Sequence, residues 1–329
     1  MSDAQHNQPF VVARDRGAAL DRLRHSVVAI GNFDGVHRGH RALIDTALDR
    51  ARGNDRPAAV LTFEPHPRSF FHPEAPSFRL TSEAAKLRLL AGTELNGAVV
   101  LKFDEHLAHL TADQFVTEIL VERLAVSGVV VGFNFQFGRE RQGSPDFLRA
   151  EGAKHGFSVD VVQPFTRHER RVSSGAIRDA LAAGRVEEAA DFLGFPWFVT
   201  GQVVHGDKRG RELGYPTANL RVEPDCGLKY GIYAVRVGLG GQRYNGVASF
   251  GRRPMFDNGA VLLEVFLFDF TGDLYGAALD VAFIAWIRPE LTFQGVDHLI
   301  RRMDQDSRLA RAALAREPDS FPPLGIPAS

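Results

Sequence analysis

The sequence predicts an α/β protein of two domains, in which a parallel sheet with helices precedes a small antiparallel β domain. Three observations predict this organisation. The length of 329 residues exceeds what one typical domain needs. Strand-like runs alternate with helical patterns up to about Leu181, which is typical of parallel strands with helical crossovers. Beyond Leu181, turns rich in Gly and Asp separate closely spaced β runs. We place the boundary after residue 186, giving domains 1–186 and 187–329.

The N-terminal half alternates short apolar runs with stretches that have apolar residues three and four positions apart. The predicted strands are Val27–Ile30, Ala58–Phe63, Ala98–Phe103, Val129–Phe133 and Ser158–Val162. The predicted helices are Arg41–Ala51, Ala84–Ala91, Ala112–Leu124 and Pro145–Lys154. Because open parallel sheets bind ligands at the carboxyl ends of their strands, the loops that follow these strands are the places to look for chemistry.

The C-terminal half has the turn spacing of an antiparallel barrel or sandwich. Its predicted strands are Phe198–Val204, Tyr230–Val237, Gln242–Ser249, Leu262–Phe270 and Leu279–Trp286. A short acidic helix is predicted within Gly184–Pro196, and a longer one over about Gly295–Leu314 closes the domain. We expect Pro318–Ser329 to be a loose proline-rich tail.

The composition argues against several classes of protein. Lysine and arginine total 39 against 40 acidic residues, so no overall positive field predicts binding to nucleic acid or to an anionic membrane. The single cysteine, Cys226, excludes an intrachain disulfide framework. No segment has the apolar length of a signal peptide core or a membrane span. We therefore expect a cytoplasmic protein, and we make no prediction of its oligomeric state.

A glycine-rich turn between the first predicted strand and the following helix is a candidate anion site. The segment Gly31–His40 reads GNFDGVHRGH. Its glycines permit a tight turn and close approach to a phosphate, and the start of the helix offers unpaired N–H groups and a positive dipole. His37 and His40, three residues apart, project to the same side, where two imidazoles can hold nucleotide phosphates. A simple strand-to-helix turn with inert surface histidines is the alternative.

A second candidate anion site lies in Val172–Arg178, after the last predicted strand of this half. Ser173 or Ser174 can cap the following helix, and Arg178 lies one turn into it. On its own, the segment is better explained as an ordinary capped helix with a solvated arginine. Together with the histidine turn, it would give two helix N-termini and a cation above one sheet, as a triphosphate requires.

Aromatic residues follow two other predicted strands. Thr62–Pro67 comes after the second strand and Gly132–Gly138 after the fourth. The three phenylalanines of the later segment can sandwich a flat ring to which Asn134 hydrogen-bonds. We expect at least one of these phenylalanines to belong to the core instead.

Taken together, these motifs resemble a known family. GNFDGVHRGH, TFEPHPRSFF, GFNFQFGRERQG and SSGAIR, in this order over about Ser26–Gly184, are similar to the nucleotidyltransferase module of the prokaryotic bifunctional riboflavin kinase/FMN adenylyltransferases. The resemblance implies a Rossmann-like domain in which the FMN phosphate attacks the α-phosphorus of ATP and pyrophosphate leaves, with Mg²⁺ assisting. It implies catalytic roles for His37 and His40. Nucleotide or flavin contacts are implied for Gly31, Asp34, Gly39, Asn134, Ser173, Ser174 and Arg178. The family usually has threonine at the position of Gly175, so we expect weakened adenylylation.

A glycine- and cation-rich segment opens the C-terminal half. Gly206–Leu220 reads GDKRGRELGYPTANL, and its first part is typical of a mobile flap over phosphates. Thr217 and Asn219 present neutral oxygens on one side of an extended stretch, and Mg²⁺ shares such ligands with substrate phosphates. Taken alone, this short piece is better explained as a turn and its exit.

Glu264 is a carboxylate on an otherwise apolar predicted strand. The period of two places it on the same face as Phe266, Phe268 and Phe270. A buried, unpaired carboxylate is costly. Glu264 therefore lies at a strand end, pairs with a cation or metal, or acts as a base that takes a proton from a substrate hydroxyl.

The C-terminal motifs resemble the riboflavin kinase module of the same family. GRELGYPTANL, YGIYAVRV, LEVFLFDFTGDLYG and IRPELTF are spread over about Gly201–Leu314. The resemblance implies a six-stranded antiparallel barrel, with Thr217 and Asn219 at Mg-ATP and Glu264 activating the ribityl 5′-hydroxyl toward the γ-phosphate. A further nucleotide contact is implied for Arg288, and the glycine- and cation-rich flap predicts phosphate contacts for Gly206, Lys208 and Arg211. Ser249 departs from the family's pattern, which usually has asparagine there.

The resulting prediction is an enzyme with two active sites that converts riboflavin to FMN and FMN to FAD. Its small-molecule partners are riboflavin, FMN and ATP. Two alternatives remain: a protein that is chiefly a riboflavin kinase because Gly175 weakens or abolishes adenylylation, and a non-catalytic flavin-binding regulator. The presence of His37, His40 and Glu264 disfavours the regulator, since a protein that only binds a ligand has no need of a base.

Overall fold

Packing divides the chain into two compact units. The computed structural model describes residues 9–15, 17–74, 78–204, 215–252, 261–293, 295–317 and 320–328. The first unit comprises Met1–Ser77, Thr81–Ser173 and Pro323–Ser329, and the second comprises Phe78–Leu80 and Ser174–Pro322. The boundary that we predict after residue 186 thus falls inside the second unit.

A six-stranded parallel sheet forms the centre of the first unit, in the order β1-β4-β3-β2-β5-β6. The strands are β1 (Val11–Arg14), β2 (Val27–Ile30), β3 (Ala58–Glu64), β4 (Gly97–Lys102), β5 (Gly128–Gly132) and β6 (Ser158–Val162). The side chains of β2 are buried on both faces, which is why this strand reads as a continuous apolar run rather than an alternating one. The predicted parallel sheet is confirmed, and β1 is an additional edge strand.

Helices connect these strands. They are α1 (Ala18–Asp21), α2 (Arg38–Gly53), α3 (Pro67–Phe71), α4 (Glu83–Ala91), α5 (Glu105–His109), α6 (Ala112–Gln114) and α7 (Pro145–His155). A π-helical stretch at Phe115–Arg123 continues α6, and a 3-10 turn lies at Arg139–Arg141. A small hairpin of β7 (Thr166–Arg167) and β8 (Arg170–Arg171) follows β6.

The second unit is a closed antiparallel barrel of six strands, in the order β10-β13-β12-β11-β14-β9. The strands are β9 (Phe198–Val204), β10 (Ala218–Arg221), β11 (Gly231–Leu239), β12 (Gln242–Arg252), β13 (Val261–Leu267) and β14 (Ala278–Arg288). The sequence left a barrel or a sandwich open, and the barrel implied by the family resemblance is confirmed.

Among the described residues, three helices accompany the barrel. They are α8 (Ser174–Ala182), α9 (Val186–Leu193) and α10 (Val296–Arg316). Helix α9 packs on β14, and α10 covers the outer surface of β11, β12 and β14. The buried guanidinium of Arg236 donates to the carbonyls of Leu314 and Glu317, at 3.3 and 2.7 Å, which satisfies carbonyls at the end of α10.

Alternation along β13 separates the barrel interior from its outer surface. Val261, Leu263, Val265 and Leu267 are buried inside the barrel, whereas Glu264 and Phe266 point outward and are half-buried. The predicted two-residue period is confirmed as far as Leu267, where the strand ends; Phe268, which we predict on the face of Glu264, is instead buried. The carboxylate of Glu264 therefore lies on the outer surface and not in the barrel core.

In the C-terminal tail, residues 323–328 are bound to the first unit, contrary to our prediction of a loose segment. The backbone N–H of Gly325 donates to the carbonyl of Arg88, and that of Ala328 donates to the carbonyl of Phe10, both at 2.9 Å. Ala328 also forms a parallel bridge with Val11 on β1. The tail is held because the edge of β1 offers unpaired backbone groups, a feature that composition does not reveal. No helix among the described residues is long and apolar enough to cross a membrane.

Two candidate active sites

The histidine turn leaves the carboxyl end of β2 in a tight, strained conformation. The N–H of Gly31 donates to the carbonyl of Leu61 at 3.1 Å, at the point where β2 stops pairing with β3. Phe33 and Val36 follow with φ values of 50° and 42°, and Gly35 has φ of 86°. Side chains other than glycine tolerate positive φ only where their surroundings hold them, and both Phe33 and Val36 are fully buried.

Thr81, just before α4, fixes the middle of this turn. The N–H of Thr81 donates to the carboxylate of Asp34 at 3.2 Å, and the N–H of Gly35 donates to the Thr81 hydroxyl at 3.1 Å. Asp34 is buried, with 3% of its surface exposed. The structure thus gives Asp34 a role in holding the turn, and its nucleotide contact stays a prediction.

His37 and His40 lie side by side at the start of α2. The Nδ1 atom of His37 accepts a hydrogen bond from the backbone N–H of His40 at 3.2 Å, so His37 is the N-cap of the helix. The two rings stack with their centroids 3.7 Å apart and their planes 13° apart. Because Nδ1 accepts, the neutral His37 ring carries its proton on Nε2, which is a donor for a phosphate oxygen. A Cβ at Gly39 would approach the His37 ring to 3.1 Å, so glycine leaves room for this arrangement.

Burial holds His40 neutral. It lowers the pKa of His40 well below the ordinary value of 6.5, and electrostatic interactions with His37 and with the ammonium of Lys86 lower that pKa further. The Nδ1 atom of His40 is buried and has no hydrogen-bond partner among the residues that the structure describes. An unpaired polar atom of this kind is typical of a site that is completed by a ligand.

Lys86 on α4 is the functional candidate that sequence reasoning missed. Only 2% of its side chain is exposed, and its Nζ lies 2.7 Å from Oε1 of Glu64. The same Nζ donates to the carbonyl of Asn32, in the histidine turn, at 3.4 Å. One signal was available: Lys86 precedes Leu89 and Leu90 by three and four residues, which puts a charge on an apolar helix face.

A cavity of about 470 Å³ opens at the carboxyl ends of β1, β3 and β4. Arg14, Glu64 and Val100 are among the residues that line it. This is the edge at which open parallel sheets bind ligands. Glu64 both lines the cavity and binds Lys86.

The segment after β5 divides between surface and core. Phe133 and Asn134 are exposed, and the guanidinium of Arg171 lies 4.8 Å from the centre of the Phe133 ring. Phe137 is buried in the core of the first unit, which confirms that at least one of the three phenylalanines is a core residue. Phe133 and Asn134 remain available to a flat ligand.

The serine motif straddles the two packing units. Ser173 belongs to the first unit. Its neighbour Val172 lies close to the start of α2, because the Val172 carbonyl oxygen would be 3.7 Å from a Cβ atom added at Gly39. Ser174 and Arg178 belong to the second unit, where the Nε of Arg178 donates to the carbonyl of Phe78. The capping role of the serines and the phosphate contact of Arg178 stay predictions.

The barrel site is organised by strand register. Asn219 on β10 lies directly opposite Glu264 on β13, which lies directly opposite Ser249 on β12. The three side chains therefore form one row on the outer surface of the barrel. Asn219 is buried, and Thr217 precedes it by two residues and is half-buried. The structure thus brings together the predicted metal ligand and the predicted base.

Tyr215 fixes the segment that leads into β10. Its ring packs against Phe266 with centroids 4.9 Å apart, and its hydroxyl donates to the carboxylate of Asp304 on α10. Burial, together with this hydrogen bond, raises the pKa of Tyr215 to about 12. These contacts hold the residues just before Thr217 against both β13 and α10.

Arg288 is engaged by α10. Its Nε and Nη2 atoms donate to Oδ1 and Oδ2 of Asp306 at 2.9 and 2.6 Å, and its Nη1 donates to the carbonyl of Pro289 at 2.8 Å. Both members of this ion pair are buried. The observed geometry is that of an anchor between β14 and α10, and the nucleotide contact predicted for Arg288 stays a prediction.

A second carboxylate lies near Glu264. A Cβ at Gly251 would lie 1.9 Å from Oε1 of Glu290, so the carboxylate of Glu290 rests against the backbone of β12. Burial raises the pKa of Glu290; the charge of Glu264 raises it further, and that of Arg288 opposes the shift.

The residues of the predicted phosphate flap, Gly206, Lys208 and Arg211, lie outside the described residues.

The first unit has a histidine turn at the ligand-binding edge of a parallel sheet. The second has an amide, Asn219, directly opposite a carboxylate, Glu264, on neighbouring strands of a barrel. Side chains of these types are suited to holding ATP phosphates and to accepting a proton from a hydroxyl. The fold and the two sites define an ATP-dependent transferase with two modules.

Comparisons with known proteins identify the family. The family model for FAD synthetase matches residues 20–176, and that for riboflavin kinase matches residues 193–314. The bifunctional riboflavin kinase/FMN adenylyltransferase of Haemophilus influenzae is 38% identical over 291 residues, covering 88% of this chain and 94% of that protein. Its namesake from Escherichia coli is 40% identical over 286 residues, covering 87% and 91%. The chain belongs to the family of bifunctional riboflavin kinase/FMN adenylyltransferases, as its motifs predict, and both enzymatic modules are present.

The fold is also found in a solved structure. A crystal structure described as a macrolide-efflux protein from Streptococcus pneumoniae has a TM-score of 0.81 and 30% identity with this chain, covering 92% of this chain and 99% of that one. The description of that protein does not refer to flavins, whereas both family models and the curated relatives do.

Proposed function

We propose that the chain phosphorylates riboflavin to FMN at the Asn219–Glu264 row and adenylylates FMN to FAD at the histidine turn, with ATP as co-substrate of both reactions. Family membership supports the two reactions. The observation that carries the placement is the direct pairing of Asn219 with Glu264, because it sets an oxygen ligand beside a base within the riboflavin kinase module.

In the kinase reaction, Glu264 accepts the proton of the ribityl 5′-hydroxyl as its oxygen bonds to the γ-phosphorus of ATP. The bond from that phosphorus to the bridging oxygen breaks, and ADP leaves. The donor set suits Mg²⁺, since Thr217 and Asn219 offer a hydroxyl and an amide oxygen beside a carboxylate. These two residues would hold the ion, which neutralises phosphate charge when it is bound. Gly206, Lys208 and Arg211 would cover the phosphates.

In the adenylylation reaction, a phosphate oxygen of FMN bonds to the α-phosphorus of ATP and pyrophosphate leaves. His37 and His40 act as donors that stabilise the charge developing on the phosphates. Gly31 and Gly39 allow the backbone to approach them closely. Asn134 contacts the base or flavin, and Ser173, Ser174 and Arg178 hold further phosphate oxygens.

One product analysis tests the proposal against its alternatives. The full chain is incubated with riboflavin, ATP and Mg²⁺, and the flavins are separated by chromatography. We expect FMN and FAD. FMN alone would favour a protein that is chiefly a riboflavin kinase because of Gly175, and neither product would favour the regulator.

The expected cytoplasmic location is tested by fractionation of cells that express the chain.

Two sets of variants assign the reactions to their sites. Glu264→Gln should reduce FMN formation by about 100-fold or more, the range of general base catalysis, while riboflavin binding is kept. His37→Ala and His40→Ala should reduce FAD formation from FMN and leave FMN formation intact. Equal loss of both activities in each variant would contradict separate sites, and normal phosphorylation by Glu264→Gln would remove that residue from its role.

A further inference from the structure

We infer that Lys86 is a positioning residue of the adenylylation site, whose ammonium fixes the histidine turn against the end of β3. The inference rests on the proposed placement of adenylylation at that turn. Lys86 lies in α4, outside the glycine, histidine and serine motifs. It acts through other residues and is not assigned a contact with substrate.

The contacts of Lys86 join two separate elements. Its Nζ lies 3.4 Å from the carbonyl of Asn32 in the turn, 3.2 Å from the hydroxyl of Thr62 and 2.7 Å from Oε1 of Glu64. The Thr62 hydroxyl itself donates to the Asn32 carbonyl at 3.2 Å. One ammonium thus links the first residue after Gly31 to the carboxyl end of β3.

The histidine turn requires contacts that hold its backbone conformation. Phe33 and Val36 both have positive φ, a conformation that persists only when surrounding contacts enforce it. Thr81 holds the middle of the turn through Asp34 and Gly35, and Lys86 holds its beginning. Both anchors come from one short stretch at the start of α4, so the orientation of His37 and His40 depends on that stretch.

A buried ion pair is a poor way to gain stability. Removing an ammonium and a carboxylate from water largely offsets their mutual attraction, and apolar residues of similar volume commonly serve as well. Lys86 is nevertheless buried on the apolar face of α4. Its retention there is explained if the ammonium is needed for the geometry and charge of the turn, and the lowered pKa of His40 agrees with a positive charge in that place.

The first test is Lys86→Met, which keeps the length of the side chain and removes the charge. We expect kcat for FAD formation from FMN to fall by about 100-fold, the effect of misplacing a reacting group by about 1 Å. KM for FMN and for ATP should change far less, and riboflavin phosphorylation by the same chain should be unchanged. Lys154→Met is the matched control, because Lys154 on α7 also pairs with a buried carboxylate, that of Glu151, while its own side chain is largely exposed. It should leave both activities as they are.

A double variant separates positioning from mere stability. Lys86→Met alone leaves the Glu64 carboxylate without its ammonium, whereas Lys86→Met/Glu64→Gln removes both charges. We expect the double variant to regain the free energy of unfolding but not kcat for FAD formation. Recovery of kcat, or a kcat near that of the unchanged chain in Lys86→Met, would overturn the inference.

The reference variant is His37→Ala. If it loses FAD formation and Lys86→Met does not, the placement of adenylylation stands and the role of Lys86 is refuted. If His37→Ala keeps FAD formation, the placement itself fails.

Discussion

Asn219 and Glu264 occupy directly opposed positions on two antiparallel strands, with their side chains on the outer surface of the barrel. Such pairs have Cβ atoms about 4.5–5.5 Å apart, so the amide and the carboxylate lie within reach of one ion or one phosphate. Ser249 extends the same row on the next strand. A change at Asn219 should therefore act on the nucleotide side of the site while Glu264 still serves as the base.

Asn219→Ala tests this relationship. Removing the amide oxygen should raise the Mg²⁺ concentration needed for half-maximal FMN formation by about tenfold, the equivalent of about 1.4 kcal/mol, because one of two protein ligands is lost. Riboflavin binding should persist. FAD formation from FMN by the same variant is the internal control. An unchanged Mg²⁺ titration would exclude Asn219 as a ligand.

The ion pair of Arg288 and Asp306 should dominate the attachment of α10 to the barrel. Arg288→Met leaves the buried Asp306 carboxylate with the longer contact to Arg302, at 3.4 Å, so the cost should approach the lower end of the range of about 3–5 kcal/mol for breaking a buried pair. Arg288→Met/Asp306→Leu should recover most of that loss. Tryptophan fluorescence during urea unfolding reports on this unit alone, because both tryptophans, Trp197 and Trp286, belong to it.

The same double variant addresses the nucleotide contact predicted for Arg288. If Arg288 acts as an anchor, the folded double variant should retain the KM for ATP in riboflavin phosphorylation. A large rise in that KM at normal stability would instead favour a direct nucleotide contact.

The neutral state of His40 should make the first unit sensitive to acid. Burial, then His37 and Lys86, hold its folded pKa well below 6.5, whereas the unfolded chain has the ordinary pKa near 6.5. As the pH falls below about 6.5, the unfolded state therefore binds a proton that the folded state does not. This contribution to stability is full above that pH and is lost toward the folded pKa.

His40→Phe keeps a ring in this place and removes the proton. Between pH 6.5 and 5.5, the unchanged chain should lose about 1 kcal/mol more of its unfolding free energy than His40→Phe does. Urea unfolding followed by circular dichroism at the two pH values provides the comparison. Identical losses in the two proteins would show that His40 titrates normally.

The elements that were predictable from sequence are those with a strong local pattern. Val27–Ile30, Ser158–Val162 and Phe198–Val204 have the predicted bounds, because each is a clear run of strand-forming residues. The strands at Val11–Arg14 and Ala218–Arg221 are as short as Val27–Ile30, but each ends in an arginine and so lacks its uninterrupted apolar run. Their positions depend on neighbouring strands that a local pattern does not identify.

The site was predictable as a set of motifs but not as a set of contacts. His37 and His40 were expected on one side of a helix start, and their rings do stack. That Lys86 binds the carbonyl of Asn32, 54 positions away in the chain, follows from the packing of α4 and not from any spacing. Likewise, the pairing of Asn219 with Glu264 is a matter of register, which one residue of slippage would destroy.

Gly92 should control whether the C-terminal tail stays bound to the first unit. Its φ of −80° suits any residue, but a Cβ there would lie 2.0 Å from the carbonyl oxygen of Pro323. Gly92→Ala therefore conflicts with the tail alone, and residues 323–328 should detach. The two backbone hydrogen bonds of the tail are worth about 1–3 kcal/mol together, less the entropy of ordering it, so the loss of stability should be small.

The clearer measurement is hydrogen exchange at the amides of Gly325 and Ala328, which should lose protection. Gly53→Ala is the matched control, since a Cβ at Gly53 meets nothing within 4 Å. Continued protection of both amides in Gly92→Ala would mean that α4 and the tail shift together to accept the methyl group.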